Sequence, residues 1–551
     1  MLDHPPRPRG IALVFPPLWY YTSIPADLAY TGAFLEAKGI PVSYWDLSAG
    51  FTHAMVGDLP GFAALRRREH YLDSAEHGTA TADIAARIGL IAAAHQIRYR
   101  YRTLRLRGID DAHLASFLPA ALDARRNPAL RYLESMLDRI LATEPRIIAV
   151  ACVHPDQIPQ ALAAAALLRR KEHRGWVVMY GSLEDVVAPD HFLEDLVGLP
   201  AHAAFDLFDG VVIGEAETAL AALYDGVTAG RPYATVPNLL APAVGLSGIP
   251  ERHTEDLPSF PTPTFSGFAP DIYPYPEPVI DLRLSRGCPW GKCVFCAIQA
   301  HHPQYRAHRP ETVAAAMLNA WNRFGSRFFR IRDDLLTRRQ FLEVAEAVSR
   351  LPFSPRWSAR ARFEASLTAD VLARAASAGL EELWMGLESG SERVRSLMKK
   401  GVETRIVERI LADAVRLGIR VRALCMVGFP GETAAEARQT LAFLAAHASE
   451  LTSFSLTPFM LMTRNEIAAA PEAFGLCVRE DGRPRRYRMR YKLEVTGAEL
   501  MSAAEIAEVY EEAAKSLLPP AEDRVGPDLA HDWIRASVQA RGWGNGGRDL
   551  E

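Results

Sequence analysis

Three of the six cysteines in this 551-residue chain share one short stretch, Ser285-Arg286-Gly287-Cys288-Pro289-Trp290-Gly291-Lys292-Cys293-Val294-Phe295-Cys296. Thiolates are soft ligands that suit zinc and iron–sulfur clusters. A structural zinc site is normally closed by four N or S ligands, and a fully cysteinyl cluster also takes four. The remaining cysteines, Cys152, Cys425 and Cys477, lie far away in sequence. Three thiolates in one loop therefore suit a four-iron cluster with one iron left open to a non-protein ligand. Two other readings stand beside it: a zinc knuckle completed by a remote ligand such as His301 or His302, and a plain redox iron–sulfur module. Gly287 and Gly291 let the backbone wrap closely and turn N–H groups toward cluster sulfurs, which tunes potential.

A loop of this kind needs a rigid platform. Short apolar runs at Val279–Leu284, Arg327–Ile331, Arg356–Ala359, Glu382–Gly386, Arg420–Met426 and Ser453–Thr457 read as strands, with helical patterns between them. Six β/α units predict a partial barrel, in which catalytic groups collect at the carboxyl ends of the strands. The cysteine loop follows the first strand and so falls on that face.

The first half of the chain reads as a second α/β unit. Strand signals at 11–15, Val42–Trp45, Ile147–Val153, Trp176–Tyr180 and Gly210–Ile213 alternate with helices, among them Pro159–Arg170. That order predicts a doubly wound, Rossmann-like parallel sheet over 8–245, with an Ala/Leu/Arg-rich helical insertion at about 51–143. Ligands in such sheets sit at strand carboxyl ends, which picks out Pro16, Pro17, Val153–Asp156, Gly181–Glu184 and Gly214–Glu217. Residues 246–278 are dense in proline and aromatics and predict an extended connector. The second unit then covers 279–471. A small α+β C-terminal domain and tail would occupy 472–551, with a basic strand at Arg486–Lys492 and a helix at Ser502–Leu518.

Composition narrows the class further. A hydrophobic content of 49% with 23% charged residues is that of an ordinary globular enzyme. A net charge of −4 points to neither nucleic acid nor a lipid surface. No apolar run approaches the roughly 20 residues that span a bilayer, and the N-terminus lacks a signal-peptide core. Few cysteines, half of them clustered, predict a reducing cytoplasm.

The cysteine loop, its preceding strand and the segments after it resemble the radical S-adenosylmethionine (SAM) superfamily. The resemblance implies a [4Fe–4S] cluster on Cys288, Cys293 and Cys296, whose open iron binds SAM, and radical chemistry begun by reductive SAM cleavage. The spacing departs from the usual pattern, with four residues between the first two cysteines in place of three; Gly291 can absorb the extra one as a tighter bend. Downstream, Arg332-Asp333-Asp334 resembles the segment that meets the SAM amino group, and Trp357-Ser358-Ala359-Arg360 the one whose arginine binds its carboxylate. Gly386-Leu387-Glu388-Ser389-Gly390-Ser391, with Met398-Lys399-Lys400-Gly401, resembles the ribose-side segment, and Gly428-Phe429-Pro430-Gly431-Glu432-Thr433 the backbone along adenine. The implied SAM-side contacts are Asp333, Asp334, Arg360, Glu388, Ser389, Gly428 and Phe295. An external electron donor such as flavodoxin or ferredoxin and a small-molecule or peptide substrate are implied with them.

Residues 11–245 resemble the cobalamin-binding-type domain that precedes many such cores. The match rests on Phe15-Pro16-Pro17, Leu28-Ala29-Tyr30 leading to Gly39 and Asp46, and Asp209-Gly210-Val211-Val212-Ile213-Gly214-Glu215-Ala216-Glu217. The D-x-H-x-x-G signature that supplies a cobalt-binding histidine is absent. Pro16, Pro17, His154, Gly181, Gly214 and Glu215 are the implied cobalamin-side residues, His154 as a pocket wall. The resemblance implies C-methylation with cobalamin as the methyl carrier, held between the two sheets. Radical cyclisation or rearrangement, with cobalamin absent or not a methyl carrier, is the alternative within the class, and a non-catalytic zinc module the alternative outside it.

Overall fold

The computed structural model describes residues 10–17, 23–95, 97–100, 103–106, 114–153, 157–181, 206–230, 236–242, 253–462, 464–478, 492–493, 495–497 and 500–517. His154, the Asp111-Ala112-His113 stretch, most of the basic strand at 486–492 and the glycine-rich tail lie outside them. The chain divides into two compact units, the second beginning at Asp281, with Asn319–Ser326 belonging to the first.

In the first unit, β1 (Ile11–Phe15) is apolar throughout and buried throughout, because both faces are covered. Next come β2 (Ser23–Ile24), β3 (Val42–Asp46), β4 (Ile97–Arg100), β5 (Thr103–Leu106), β6 (Ile147–Ala151), β7 (Trp176–Tyr180), β8 (Gly210–Val212) and β9 (Leu239–Leu240). The main sheet runs β3-β1-β6-β7-β8-β9. Its pairs are parallel from β3 to β8, as expected. At the edge, however, β9 runs antiparallel to β8. Helices Ala26–Ala37 and Ile158–Arg170 supply crossovers. Asp46 ends β3 and caps the next helix, accepting from the N–H groups of Ser48 at 3.0 Å and Ala49 at 2.9 Å.

Two expectations need correction here. The insertion is helical as read, but it also holds the antiparallel hairpin β4–β5, which a helical-period reading of the whole stretch had absorbed. The proline-dense segment is not a free connector. Leu257, Phe260, Phe265, Phe268, Tyr273 and Tyr275 are buried, and the Tyr273 hydroxyl donates to Asp46 at 2.7 Å. Proline kept the segment out of helix and sheet, while its aromatics supplied enough apolar area to pack it into the first unit. Strand β10 (Val279–Leu282) follows, and its first two residues pair in parallel with β2.

In the second unit the short hairpin β11 (Ser285–Arg286) and β12 (Arg306–Ala307) flanks the cysteine loop. Then come β13 (Phe328–Ile331), β14 (Arg356–Ala361), β15 (Leu380–Glu388), β16 (Arg420–Val427) and β17 (Ser453–Pro458), in the order β17-β16-β15-β14-β13-β10. Pairing is parallel from β13 to β17. Each strand runs one or two residues past the sequence reading or stops as much short of it. Alternation decides what each face holds. On β14, Trp357, Ala359 and Ala361 are buried, and Trp357 stacks on Phe341 of helix Arg338–Val348 at 6.2 Å between centroids. Arg356, Ser358 and Arg360 therefore face the lumen. Capping boxes at Thr337–Gln340 and Thr433–Glu436 start the helices that follow β13 and β16. Among the described residues no helix is long and apolar enough to cross a membrane.

Candidate active site

The cysteine loop is tied down at several points within the second unit. Val294 is fully buried among Val394, Met398, Phe429 and Leu461. Its N–H donates to the Met398 carbonyl at 3.3 Å. The Trp290 indole N–H donates to the Lys399 carbonyl at 3.2 Å, Gln299 donates to the Cys288 carbonyl at 3.1 Å, and Asn465 to that of Phe295 at 2.9 Å. The backbone turns left-handed at Gly287, φ +89°, and at Gly291, φ +59°. A Cβ at Gly291 would stand 2.5 Å from Gln299 Nε2. The additional residue in the spacing is thus taken up in a bend that a side chain would obstruct.

All three cysteines are free and half-buried. Burial raises the Cys293 thiol above its ordinary value, against the pull of Lys400, and pushes Cys296 up to about 12. Cys296 also feels the charge of Cys293 and Cys288, and Cys293 that of Cys288. Among the described residues, no three His, Cys, Asp or Glu side chains converge as on a single metal ion.

The strand ends fall into two groups. Asp334 is half-buried and bears on Cys296. Arg360 lines a hollow in the lumen. Glu388 sits just past a register shift in β15 at φ +66°, which re-aims its side chain. It meets Lys400 Nζ at 2.7 Å in a buried ion pair. Burial opposes the Lys400 charge, and Glu388 with Cys293 more than offsets it, so the ammonium is held above its usual range. A Cβ on Gly386 would lie 2.3 Å from Glu388 Oε1 and 2.6 Å from Lys400 Nζ, so only glycine leaves room for this pair. Phe295 packs edge-on to Phe429 at 6.4 Å. Gly428 takes φ +80°, with its N–H given to Glu432 at 2.6 Å.

The other group has its polar atoms occupied by scaffold. Asp333 is buried and accepts from the Leu284 N–H at 2.8 Å and from the Ser285 hydroxyl. Burial raises it to about 6. It holds the start of the cysteine loop to the end of β13. Ser389 is fully buried, near Glu432 at 3.4 Å and Thr440 at 3.3 Å. Its partners come from a helix and turn far along the chain.

In the first unit, Pro16 and Pro17 are buried at the end of β1. Gln157, also buried, donates to the Pro16 carbonyl at 3.3 Å and accepts from the Val153 N–H at 3.0 Å, tying two strand ends together. Gly181 has φ +130°, with the Cys152 carbonyl 2.6 Å from where a Cβ would be, and Gly214 has φ +81°. Glu215 is buried, and its carboxylate accepts from the Glu255 N–H at 2.6 Å. That is an internal tie between two segments of the first unit.

Two features of the second unit escaped the sequence reading. Arg362 lies 3.6 Å from the Trp290 ring centroid and donates to the Lys400 carbonyl, clamping the loop to β14. Arg330 and Arg332 line the lumen beside Arg360. The signal was alternation: Arg330-Ile331-Arg332 and Arg356-Trp357-Ser358-Ala359-Arg360-Ala361-Arg362 place charge on one face of each strand.

Comparison with known proteins agrees with this layout. Residues 282–444 match the Radical SAM superfamily. An uncharacterized methyltransferase of Pyrococcus horikoshii is 23% identical over 258 residues, 46% of this chain and 56% of that protein. Among solved structures, the cobalamin-dependent SAM radical enzyme OxsB, with aqua-cobalamin and SAM bound, superposes with a TM-score of 0.63 at 12% identity, over 97% of this chain and 71% of OxsB. The radical SAM methyltransferase TsrM from Kitasatospora setae does so with a TM-score of 0.56 at 14% identity, over 93% of this chain and 89% of TsrM. At these identities the structural likeness is one of fold.

Proposed function

We propose that this chain, whose residues 282–444 match the Radical SAM superfamily, is a cobalamin-dependent radical SAM methyltransferase acting on an unactivated carbon. The observation that carries the radical SAM part is the loop of Cys288, Cys293 and Cys296, fixed beside strand ends that bear Asp334, Arg360 and the Glu388–Lys400 pair. The cobalamin part is supported by likeness alone: a Rossmann-like first unit, and solved relatives whose names state cobalamin dependence or methyl transfer.

The residues fit the groups they would hold. The three cysteines would hold a [4Fe–4S] cluster, which when bound supplies the electron for reductive SAM cleavage. Asp334 offers a carboxylate to an ammonium, Arg360 a guanidinium to a carboxylate, and Glu388 a carboxylate to ribose hydroxyls. Lys400 orients Glu388 through their ion pair, while the Arg362–Trp290 contact holds the loop against β14. Gly428 lets a flat base approach the backbone. Cobalamin, when bound to the first unit, would supply the methyl carrier. Pro16, Pro17, Gly181 and Gly214 give its strand ends close, side-chain-poor surfaces. An external one-electron donor is required.

Anaerobic reconstitution with cobalamin supplied tests the reading. It expects about four irons per chain, 5′-deoxyadenosine formed from SAM under reduction, and cobalt bound. One zinc per chain without SAM turnover would reject the enzyme. Iron and SAM turnover with no cobalt under saturating supply would leave radical rearrangement in place of methyl transfer.

A further inference from the structure

Arg362 stands one residue past the carboxyl end of β14, and its side chain is 8% exposed. Most of its contacts are set by the fold. The guanidinium lies over the Trp290 ring, 3.6 Å from the centroid. Nη2 donates to the Lys400 carbonyl, and Nη1 to Glu364 Oε2 at 3.2 Å. Nε is different. It is buried, and among the described residues it has no hydrogen-bond partner. A buried donor left unmet is costly, and native folds keep few of them. A guanidinium does not deprotonate to escape that cost. The cation–π contact engages its charge and leaves the Nε–H without an acceptor.

The cysteine loop can supply the acceptor. Cys293 and Cys288 both act on the Arg362 charge, and Arg362 in turn on Cys293. Trp290, over which the guanidinium lies, falls between those two cysteines in sequence. Lys400 also acts on Cys293, but its ammonium is engaged by Glu388 at 2.7 Å. We propose that the Arg362 Nε–H donates to a sulfur on the Cys288–Cys293 side of the bound iron–sulfur cluster and thereby raises its reduction potential. Hydrogen bonds to cluster sulfurs and the local net charge both tune that potential. An electron entering from the external donor adds negative charge to a centre already held by three thiolates. A fixed cation whose N–H meets that centre favours the reduced form. Arg362 thus sets how readily the cluster is reduced, beyond holding the loop against β14. The inference rests on the radical SAM reading above and deepens it.

The test is the midpoint potential of the reconstituted full-length chain, without SAM, from an anaerobic titration followed by electron paramagnetic resonance. Arg362→Gln removes the charge and should shift the one-electron equilibrium on the order of ten-fold toward the oxidised form, about 59 mV. Arg362→Lys should recover part of that shift. Glu364→Gln relieves the same guanidinium of its half-buried partner and should move the potential the other way. A purely structural role predicts no such pair of opposite shifts. A second measurement needs no variant. Unsubstituted protein, isotope-labelled in the guanidino nitrogens of arginine and reduced, should show a labelled nitrogen coupled to the cluster in pulsed resonance. The absence of that coupling overturns the proposal, as does an Arg362→Gln chain with full iron and an unchanged potential. If Arg362→Gln takes up no iron, the coupling and the Glu364→Gln shift decide, and the loss of either overturns it. A chain whose cluster responds to SAM yet shows neither effect loses this inference alone. A chain that takes up zinc, or no iron at all, loses the radical SAM reading itself.

Discussion

Strand ends in the two units have been put to different uses. In the second unit they carry ionisable groups: Arg360 in the lumen and, near the thiols, Asp334 and the buried Glu388–Lys400 pair. In the first unit the polar groups at the strand ends bond to one another: Gln157 to Pro16 and Val153, Glu215 to Glu255. One set is charged, pre-aimed chemistry. The other, among the described residues, is bonded within the fold. The difference teaches that a site built from ionisable residues declares its chemistry in sequence, whereas a site built from backbone and glycine declares only its shape.

The largest effect should come from the thiols. Replacing any one of Cys288, Cys293 or Cys296 by alanine is expected to lower iron content and SAM cleavage together, with cleavage falling by about a thousand-fold or more, on the order of 4 kcal/mol in the barrier. Cobalt uptake by the first unit should persist in these variants, and joint loss of both cofactors would break the contrast drawn above.

Next is the buried ion pair. Lys400→Met strands Glu388 without its partner and should cost about 3–5 kcal/mol of stability in denaturant titration. Adding Glu388→Gln to the same chain should recover most of that loss while SAM affinity stays weak. If stability is recovered and SAM binds normally, the pair is scaffold only.

Each unit also holds a buried aspartate, Asp46 in the first and Asp333 in the second, raised by burial to about 6. Both values exceed that of an unfolded aspartate. Each group therefore contributes stability that is full below about pH 4 and is lost as pH rises through about 6, on the order of 2–3 kcal/mol apiece. Thermal midpoints measured from pH 4 to 7 should fall across that window, and Asp46→Asn or Asp333→Asn should each flatten the slope.

The smallest expected effect is Gln157→Ala. Untying the ends of β1 and β6 should cost about 1–2 kcal/mol and reduce cobalt content, while SAM cleavage stays within about two-fold. Equal loss of both would show that the first unit's loops do more than bind a flat ligand.

The cysteine loop, the six barrel strands and the order of the strand-end segments were legible because each depends on residue type at short spacing. The run Ile11-Ala12-Leu13-Val14-Phe15 announced a covered strand in the same way. The partners of Ser389 and Asp333, Thr440 with Glu432 and Leu284 with Ser285, were not legible, because they are remote in sequence and no local pattern says which way a polar side chain turns. The proline-dense segment was misread for a related reason: proline excludes regular structure but says nothing about burial, which its aromatics decided. The β4–β5 hairpin was hidden within a long Ala-rich helical stretch. The lumen arginines were visible as alternation and passed over because arginine on a strand reads as a solvated face.

The most direct test of the central claim is electron paramagnetic resonance of the reconstituted, reduced protein before and after SAM is added. The account predicts the signal of a reduced four-iron cluster that changes shape when SAM binds, because three thiolates leave one iron open to it. A cluster signal that SAM leaves untouched, or a protein that takes up zinc and gives no signal, would contradict it.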